Sequence, residues 1–505
     1  MEKNYEWLPH LQNSIPVEAY GYRLSMYSIA LEGWRRGLTL KFSKSPNRYS
    51  LSFEDREHHF SSSRGDMVTQ KAIRICVNKD LTKEYLAKAN IPIPEGKIFS
   101  AEETTEEIVD YANVIGYPLV IKPTNSSGGN GVISNITNDE ELKQALVYVR
   151  SELLFSSIIV EQFSVGEDYR IYVLGDSIIG AVSRKPANVV GTGIDTIRQL
   201  IKAKDKERDK NPALYNQPIK IDEDMENMLR LKNYTLDSIP KQSEKVFLKS
   251  INNVSVGGDP IDVTDDLPNE IKNVAIDAVK SIPGLAQAGV DIIFNKEKNK
   301  YVVLEVNSKP SIRTHLFPMQ GKARDIPKAI IDYYFPETIH HNHEGIRYYF
   351  DFLSLDNLFQ SGFAKEFTIP NVPQGDLVAL EMLVSGIKRS QKWIRKKARS
   401  LDLNGFVKPV KNGNISIVVS GSKEAIHNFK DILKDESEKV LEGNYEQPIK
   451  IGFEIIDNKQ AEYEILKNER NFYKKKYQAI KDSKAWRATR PIRTIGSFTK
   501  NKMKK

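Results

Sequence analysis

The chain has 505 residues, a formal net charge of +8 and one cysteine, Cys76, which gives room for about three domains of roughly 150 residues each and excludes an internal disulfide framework. No apolar run approaches the roughly 20 residues that cross a bilayer, and the polar start lacks the apolar stretch of a secretory signal, so a cytoplasmic protein is expected. The basic excess belongs to the end: residues 457–505 hold 15 Lys/Arg against 5 Asp/Glu, and the nearly neutral remainder has no basic stripe interleaved with aromatics, which argues against a nucleic-acid partner.

Residues 1–78 read as a small α/β domain, with a helix at 25–37 and strands at 38–42 and 49–53. From 79 to 336 strands and helices alternate, with helices at 81–89, 106–115 and 140–153 and strands at 97–100, 119–122, 157–163, 169–174 and 177–182. A helix begins over 195–204, and the polar stretch 205–245 is expected as a mobile subdomain or excursion. A helix at 269–281, strands at 288–294 and 301–306 and a helix at 326–334 complete that unit. Residues 337–374 read as a linker. Residues 375–456 run strand 377–384, helix 389–401, strands 405–410 and 415–420, helix 423–433 and strand 448–456, a ferredoxin-like βαββαβ order. Residues 457–505 form a basic tail with one polar helix at 460–482. The class is therefore α/β with an α+β domain behind it.

Two strings carry chemistry. Val120-Ile121-Lys122-Pro123 is an apolar strand ending in a lysine, followed by Ser126-Ser127-Gly128-Gly129-Asn130-Gly131-Val132. A lysine and a glycine-rich turn bring one cation and several backbone N–H groups against a nucleotide's phosphates. Alone, Lys122 is equally a snorkelling surface lysine, and the turn lacks the Gly-Lys-Ser/Thr ending of a Walker loop. Position strengthens the reading. The strand at 158–163, which contains Glu161, Gln162 and Phe163, can present backbone groups to an adenine edge, and Asp168 is placed to accept from ribose hydroxyls.

The second string is Gly289-Val290-Asp291 with Leu304-Glu305-Val306-Asn307. Asp291 and Glu305 fall on adjacent strands, and Asn307 shares a face with Glu305 because strand side chains alternate. Two carboxylates and an amide oxygen, completed by triphosphate oxygens and water, suit Mg²⁺ better than zinc. Solvated strand-end acids are the plain alternative. Together the strings point to ATP.

Here residues 79–336 resemble the ATP-grasp ligases, most closely the ATP-grasp portion of cyanophycin synthetases and more distantly glutathione synthetases and D-alanine ligases. The resemblance runs through Lys79 to Lys83, Gly116-Tyr117-Pro118, Lys122-Pro123, Gly166 to Arg170, Arg184 to Val189, Asn253-Val254-Ser255-Val256-Gly257-Gly258, Asp262 to Asp265, Glu305-Val306-Asn307 and Pro310 to His315. It implies an ATP-grasp fold and an ATP-dependent carboxylate-amine ligase, forming an amide or peptide bond through an acyl phosphate on an amino acid or peptide. By position, Lys79, Lys122, Gly128, Gly129 and Gly131 would meet phosphates, Glu161, Gln162 and Phe163 the adenine and Asp168 the ribose. Asp291, Glu305 and Asn307 would bind Mg²⁺. Arg184, Arg313 and Lys122 would carry the catalytic charge, and Asn253, Ser255, Gly257, Gly258, Arg313 and His315 the substrate. A homo-oligomer is expected. Three departures stand out: Gly191-Thr192-Gly193 replaces Gly-Asp-Gly, Lys249 replaces an arginine, and no Mur-ligase-like half follows, so polymer synthesis does not transfer.

Residues 375–456 resemble acylphosphatases through Leu383 to Gly386, Ala398 to Val407 and Asn412-Gly413. Anchored on Ala398, Gln391 stands where that family's cradle arginine belongs, the cradle is about three residues short, and Pro409 holds the place of its water-positioning asparagine. A fold relic or regulatory module is expected, with acyl-phosphate hydrolysis as the rival activity. In the tail, Trp486 to Arg493 is similar to a Trp-Arg-x-Thr-x-Pro-x-Arg string of some bacterial surface-polysaccharide proteins. With its cations this segment suits peripheral contact with the inner face of a membrane, and a disordered tail is the equal competitor. An ATP-binding membrane-associated scaffold is the non-enzymatic alternative.

Overall fold

The computed structural model describes residues 5–124, 131–249, 252–341, 347–410 and 413–456. The glycines Gly128 and Gly129 and the tail from 457 onward, with its expected helix and Trp486, lie outside the described residues. The chain divides into two compact units, 1–372 and 373–505.

In the first unit, strands Thr39–Ser43, Ser45–Phe53, Arg56–Ser61 and Arg64–Gly65 form an antiparallel sheet. The helix Leu24–Arg35 is buried on nearly every side because it packs against both this sheet and the helix Ile326–Tyr334. The stretch expected as a linker is part of this layer. Glu366–Thr368 adds a strand beside Thr39–Ser43, Tyr27 Oη donates to the Phe350 carbonyl at 2.9 Å, and Trp34 Nε1 donates to that of Pro370 at 2.8 Å. Residues 1–78 are therefore completed by chain some 300 positions away, a pairing that local periodicity does not encode.

Two further sheets face the site. Gly96–Phe99, Ile158–Gln162, Leu119–Pro123 and Ile133–Ile136 make a four-stranded antiparallel sheet. The helices Thr105–Ile115, started by a Thr104/Glu107 capping box, and Asp139–Val147 share a core with it around Ile108, Ile121, Leu142 and Val160. The second sheet is five-stranded, in the order Asp259–Asp262, Ser177–Lys185, Glu167–Leu174, Gln287–Asn295, Lys300–Asn307. Its apolar positions, Ile171, Val173, Val290, Ile292, Val303 and Val306, share a core with helix Asn269–Lys280. Alternation then places Asp168, Arg170, Arg184, Asp291 and Glu305 on the other face. A register shift after Asp291 leaves Leu304 as an extra residue and sets Asp291 directly across from Glu305.

Residues 187–248, which include the expected excursion, form a small packed body rather than a loose loop. Helices Ile197–Lys210 and Glu223–Leu231 and the strand pair Asn188–Val190 and Lys245–Phe247 enclose their own core, including Ile197, Met225, Leu229 and Val246.

The second unit has a five-stranded sheet, in the order Lys439–Asn444, Leu377–Ser385, Ile415–Ser422, Asn404–Pro409, Phe453–Ile455. Helices Gln391–Ser400 and Lys423–Asp435 contribute Ile394, Ala398, Ile426 and Phe429 to its core. The βαββαβ unit is closed by Lys439–Asn444 and not by the expected strand at 448–456. Phe453–Ile455 instead runs parallel to Asn404–Pro409 at the opposite edge. Lys439–Asn444 is an almost wholly exposed edge strand, so it lacks the apolar alternation by which strands are recognised.

Candidate active site

The two inner sheets of the first unit and the helix Lys79–Lys88 enclose a cavity of about 350 Å³. Asn78 caps that helix by accepting from the N–H groups of Asp80 and Leu81. Lys79 and Lys83 thereby reach the cavity from one side, Lys122 from the end of its strand, and Asp291, Glu305 and Asn307 from the opposite sheet. Cations and oxygen donors more than 160 positions apart in sequence thus line one space.

Two of the three lysines at the cation side share one partner, and Lys79 has no ion pair among the described residues. Glu161, on the central strand Ile158–Gln162, accepts from Lys122 Nζ and, at 2.9 Å, from Lys83 Nζ. Burial pushes its carboxyl upward, but Lys122 and Lys83 outweigh that and hold it below the usual carboxylate range. Glu161 was expected at the adenine; here its carboxylate is bound by Lys122 and Lys83. The N–H groups of Gln162 and Phe163 donate to the Glu95 and Pro118 carbonyls, and Gln162 Nε2 donates to the Ile115 carbonyl at 2.8 Å.

On the opposing sheet Arg170 binds Asp291 through both Nε and Nη2, the latter at 2.8 Å, and Arg184 Nη2 joins the same carboxylate at 3.1 Å. Burial raises the Asp291 carboxyl and the two guanidiniums outweigh it, leaving it depressed. Asp168 accepts from Arg184 Nη2 at 2.6 Å, so it sits in the arginine cluster and does not line the cavity as a ribose contact would. Its carboxyl is raised, first by burial and also by Asp291, with Arg184 only partly offsetting them. Lys79, Lys83, Lys122, Arg170 and Arg184 therefore oppose Glu161, Asp168, Asp291 and Glu305.

The donors Asp291, Glu305 and Asn307 are hard oxygens, and their chemistry fits Mg²⁺. Glu305 carries no ion pair among the described residues. No group of three or more His, Cys, Asp or Glu side chains gathers as a metal cage among the described residues. That agrees with a set of two carboxylates and one amide that phosphate oxygens and water would complete.

None of the expected substrate residues lines the cavity. Arg313 is 5 % exposed. Its Nη2 donates to Gln217 Oε1 at 3.2 Å, its guanidinium lies 4.5 Å from the centroid of the Tyr22 ring, and its Nη1 has no partner among the described residues. The loop from Asn253 turns at Gly257, whose φ of +114° suits glycine, and a Cβ at Gly258 would meet the Lys185 carbonyl at 2.7 Å. The Asn253 side chain accepts from the N–H of Ser255 at 2.9 Å. His315 is enclosed: neither ring nitrogen has a partner among the described residues, and burial, reinforced by Arg170, lowers its imidazole to about 3. It is a neutral core residue and not a ligand contact.

Sequence reasoning missed three residues. Lys83 and Arg170 hold the key carboxylates. Arg208, 1 % exposed, donates to the carbonyls of Gln217, Val254, Gly257 and Gly258, locking the loop and Gln217, the Arg313 partner. Its signal was an arginine on the apolar side of a helix whose other Arg/Lys are mostly exposed, a pattern that means a paired or carbonyl-bound cation.

In the second unit, the turn where a phosphate cradle would lie is filled. Gly386 has φ +63°, and Glu438 packs so closely over it that a Cβ there would meet the carboxylate oxygen at 2.7 Å. Arg389 Nη2 pairs with Glu436 at 2.8 Å, Gln391 begins the helix, and Pro409 ends its strand.

Two β-sheets thus close on a cavity between lysines and strand-borne carboxylates. Residues 76–190 match the RimK-like ATP-grasp domain and residues 391–455 match acylphosphatase, so the chain carries both domains. It is 30% identical to cyanophycin synthetase of Trichormus variabilis over 319 residues, covering 62% of this chain and 35% of that one. It is 31% identical to the glutathione biosynthesis bifunctional protein GshAB of Clostridium perfringens over 346 residues, covering 65% and 43%. The chain thus spans well under half the length of these curated relatives. A solved bifunctional glutathione synthetase from Pasteurella multocida aligns with a TM-score of 0.45 and 28% identity, over 58% of this chain and 40% of that one.

Proposed function

We propose that the chain is an ATP- and Mg²⁺-dependent carboxylate-amine ligase that joins an amino acid or peptide through an acyl phosphate. The observation that supports it is the single cavity lined by Lys79, Lys83 and Lys122 on one side and Asp291, Glu305 and Asn307 on the other. Phosphoryl transfer asks a protein chiefly for positioning and charge neutralisation. Lys79 and Lys122 would hold triphosphate oxygens, with Glu161 fixing Lys122 and Lys83 in the meantime. Glu305, Asn307 and Asp291 would hold Mg²⁺, whose chemistry is to neutralise charge on the transferred phosphoryl group. Asp291 is screened by Arg170, and so Arg170 sets how available that carboxylate is. The unpartnered Nη1 of Arg313 would take an acyl oxygen. The cofactor and substrate pair, and the absence of any need for a protein nucleophile, follow together.

The filled turn at Gly386 and the paired Arg389 speak against acyl-phosphate hydrolysis by the second unit, and a scaffold without chemistry would have no use for the opposed charges. We place the activity on the cytoplasmic side, where ATP is supplied; no helix among the described residues is long and apolar enough to cross a membrane. Membrane contact by residues 457–505 is read out by sedimentation with anionic vesicles before and after their removal. The ligase reading is tested by ADP release from ATP across amino acids, dipeptides and envelope precursors. Release that depends on one acid-amine pair and disappears in Lys122→Ala supports it; silence across the whole panel contradicts it.

A further inference from the structure

A second cavity, also about 350 Å³, lies in the N-terminal sheet layer. Its character is set by donors without acceptors. The Arg48 side chain has no hydrogen bond or ion pair among the described residues, and the side chains of Ser43, Ser61 and Gln70 are likewise unpaired there. Arg64 makes one long contact, Nη1 to Ser308 Oγ at 3.4 Å, and has no carboxylate partner among the described residues. The one acid in the lining, Asp66, is already engaged: Oδ1 is paired with His58 Nδ1 at 2.8 Å and Oδ2 accepts from the His59 N–H at 2.8 Å. Val68 and Ile73 supply apolar wall.

Arginine in a protein is charged, and a partly buried guanidinium ordinarily meets a carboxylate or phosphate, for which its planar fork is shaped. Burial pulls Arg64 below its usual value, and only the Cys76 thiol acts the other way. The half-buried Arg64 therefore lacks an anion, and the exposed Arg48 guanidinium, the Ser43 and Ser61 hydroxyls and the exposed Gln70 amide line the same half-open space. The space is large enough for an amino acid or short peptide and has apolar wall to hold its side chain.

We infer that this cavity binds the carboxylate of an amino acid or short peptide through Arg48 and Arg64. The site adjoins the nucleotide cavity. Arg64 contacts Ser308, the residue after Asn307, and influences Cys76, and both Asn307 and Cys76 line the nucleotide cavity. An occupant is thus felt at the reacting end, either as the ligase's own substrate or as an effector. The substrate form rests on the ligase reading above; carboxylate binding itself does not.

The test is saturation-transfer NMR on the full chain without ATP, using the twenty L-amino acids and their glycine dipeptides, each beside its methyl ester. At least one acid is expected to bind while its ester does not. Its affinity should fall about tenfold or more in Arg64→Gln and in Arg48→Gln, the loss of one charge-assisted contact. Arg48 lies on the exposed side of its strand, so that variant keeps the fold, and retained binding of a non-hydrolysable ATP analogue checks it. The bound acid being consumed with ADP release makes it the substrate; binding that alters ADP release without consumption makes it an effector. A panel in which no acid is distinguished from its ester, or binding indifferent to both arginine variants, overturns the site. Failure of the ligase reading would show separately, as ADP release absent while acid binding persists.

Discussion

Two regions of this molecule carry sequence patterns associated with phosphate chemistry, and they differ in how their charges are arranged. Around the first-unit cavity, lysines from one sheet and helix face acids from the other across open space, Lys83, Lys122 and Asp291 held by neighbours that a ligand can replace and Lys79 and Glu305 without an ion pair among the described residues. At the Gly386 turn the neighbouring acid, Glu438, occupies the place itself, and the nearest arginine is committed to Glu436. The lesson is that a cradle is defined by what is left unfilled, and not by the glycine that permits it.

The sharpest way to break the contrast is Lys122→Ala. Removing a cation aimed at a transferring phosphoryl group costs on the order of 100-fold or more in turnover, so ADP release should fall by at least that factor. Turnover within a few-fold of the parent would place the chemistry elsewhere.

Next in size is Arg208→Met. Four carbonyl oxygens lose their buried donor, which should cost about 3 kcal/mol, seen as a lower denaturant midpoint. Turnover should fall further than stability alone requires, because the Gly257–Gly258 loop and Gln217 are released together.

Acidification gives a smaller and graded effect. Burial lowers the His315 imidazole from its ordinary 6.5 to about 3, so below pH 6.5 the unfolded chain binds a proton that the folded chain refuses. Stability is therefore full above about pH 6.5 and declines as pH falls toward 3. Melting temperatures from pH 8 to 4 should show this slope, and His315→Leu should flatten it. The depressed Glu161 and Asp291 add loss of the same sign only near and below the ordinary carboxylate range. A slope unchanged by the histidine substitution would mean that His315 is solvated.

The smallest expectation is an effect of nothing. Benzoyl phosphate supplied without ATP should be hydrolysed no faster than in buffer, and Glu438→Gln should not change that. Measurable turnover by the parent chain would erase the difference between the two regions.

Much of the first site was legible because it depends on strand alternation and on short strings. An apolar run ending in Lys122, and acids on adjacent strands, need only a period of two to be placed on one face. The bulge at Leu304, which sets Asp291 opposite Glu305, left no such mark. The partners of these groups were harder still. Lys83 with Glu161, Arg170 with Asp291 and Arg208 with the Asn253–Gly258 loop join positions 46 to 121 residues apart, and a cation's choice of counter-ion depends on tertiary packing. The fold shows the same division: helices such as Thr105–Ile115 and Ile326–Tyr334 were placed closely, while the helices Gln70–Val77, Glu223–Leu231 and Phe352–Gln360, the strand Glu366–Thr368, which completes the N-terminal sheet, and the exposed Lys439–Asn444 edge were not.

The central claim is that one triphosphate, with its magnesium, touches both the lysines and the acids. Titrating the full chain with a non-hydrolysable ATP analogue at increasing Mg²⁺ tests it directly. Affinity should rise with Mg²⁺ in the parent, drop at every Mg²⁺ concentration in Lys122→Ala, and lose its Mg²⁺ dependence in Glu305→Gln. Binding that is the same in all three proteins would contradict the account.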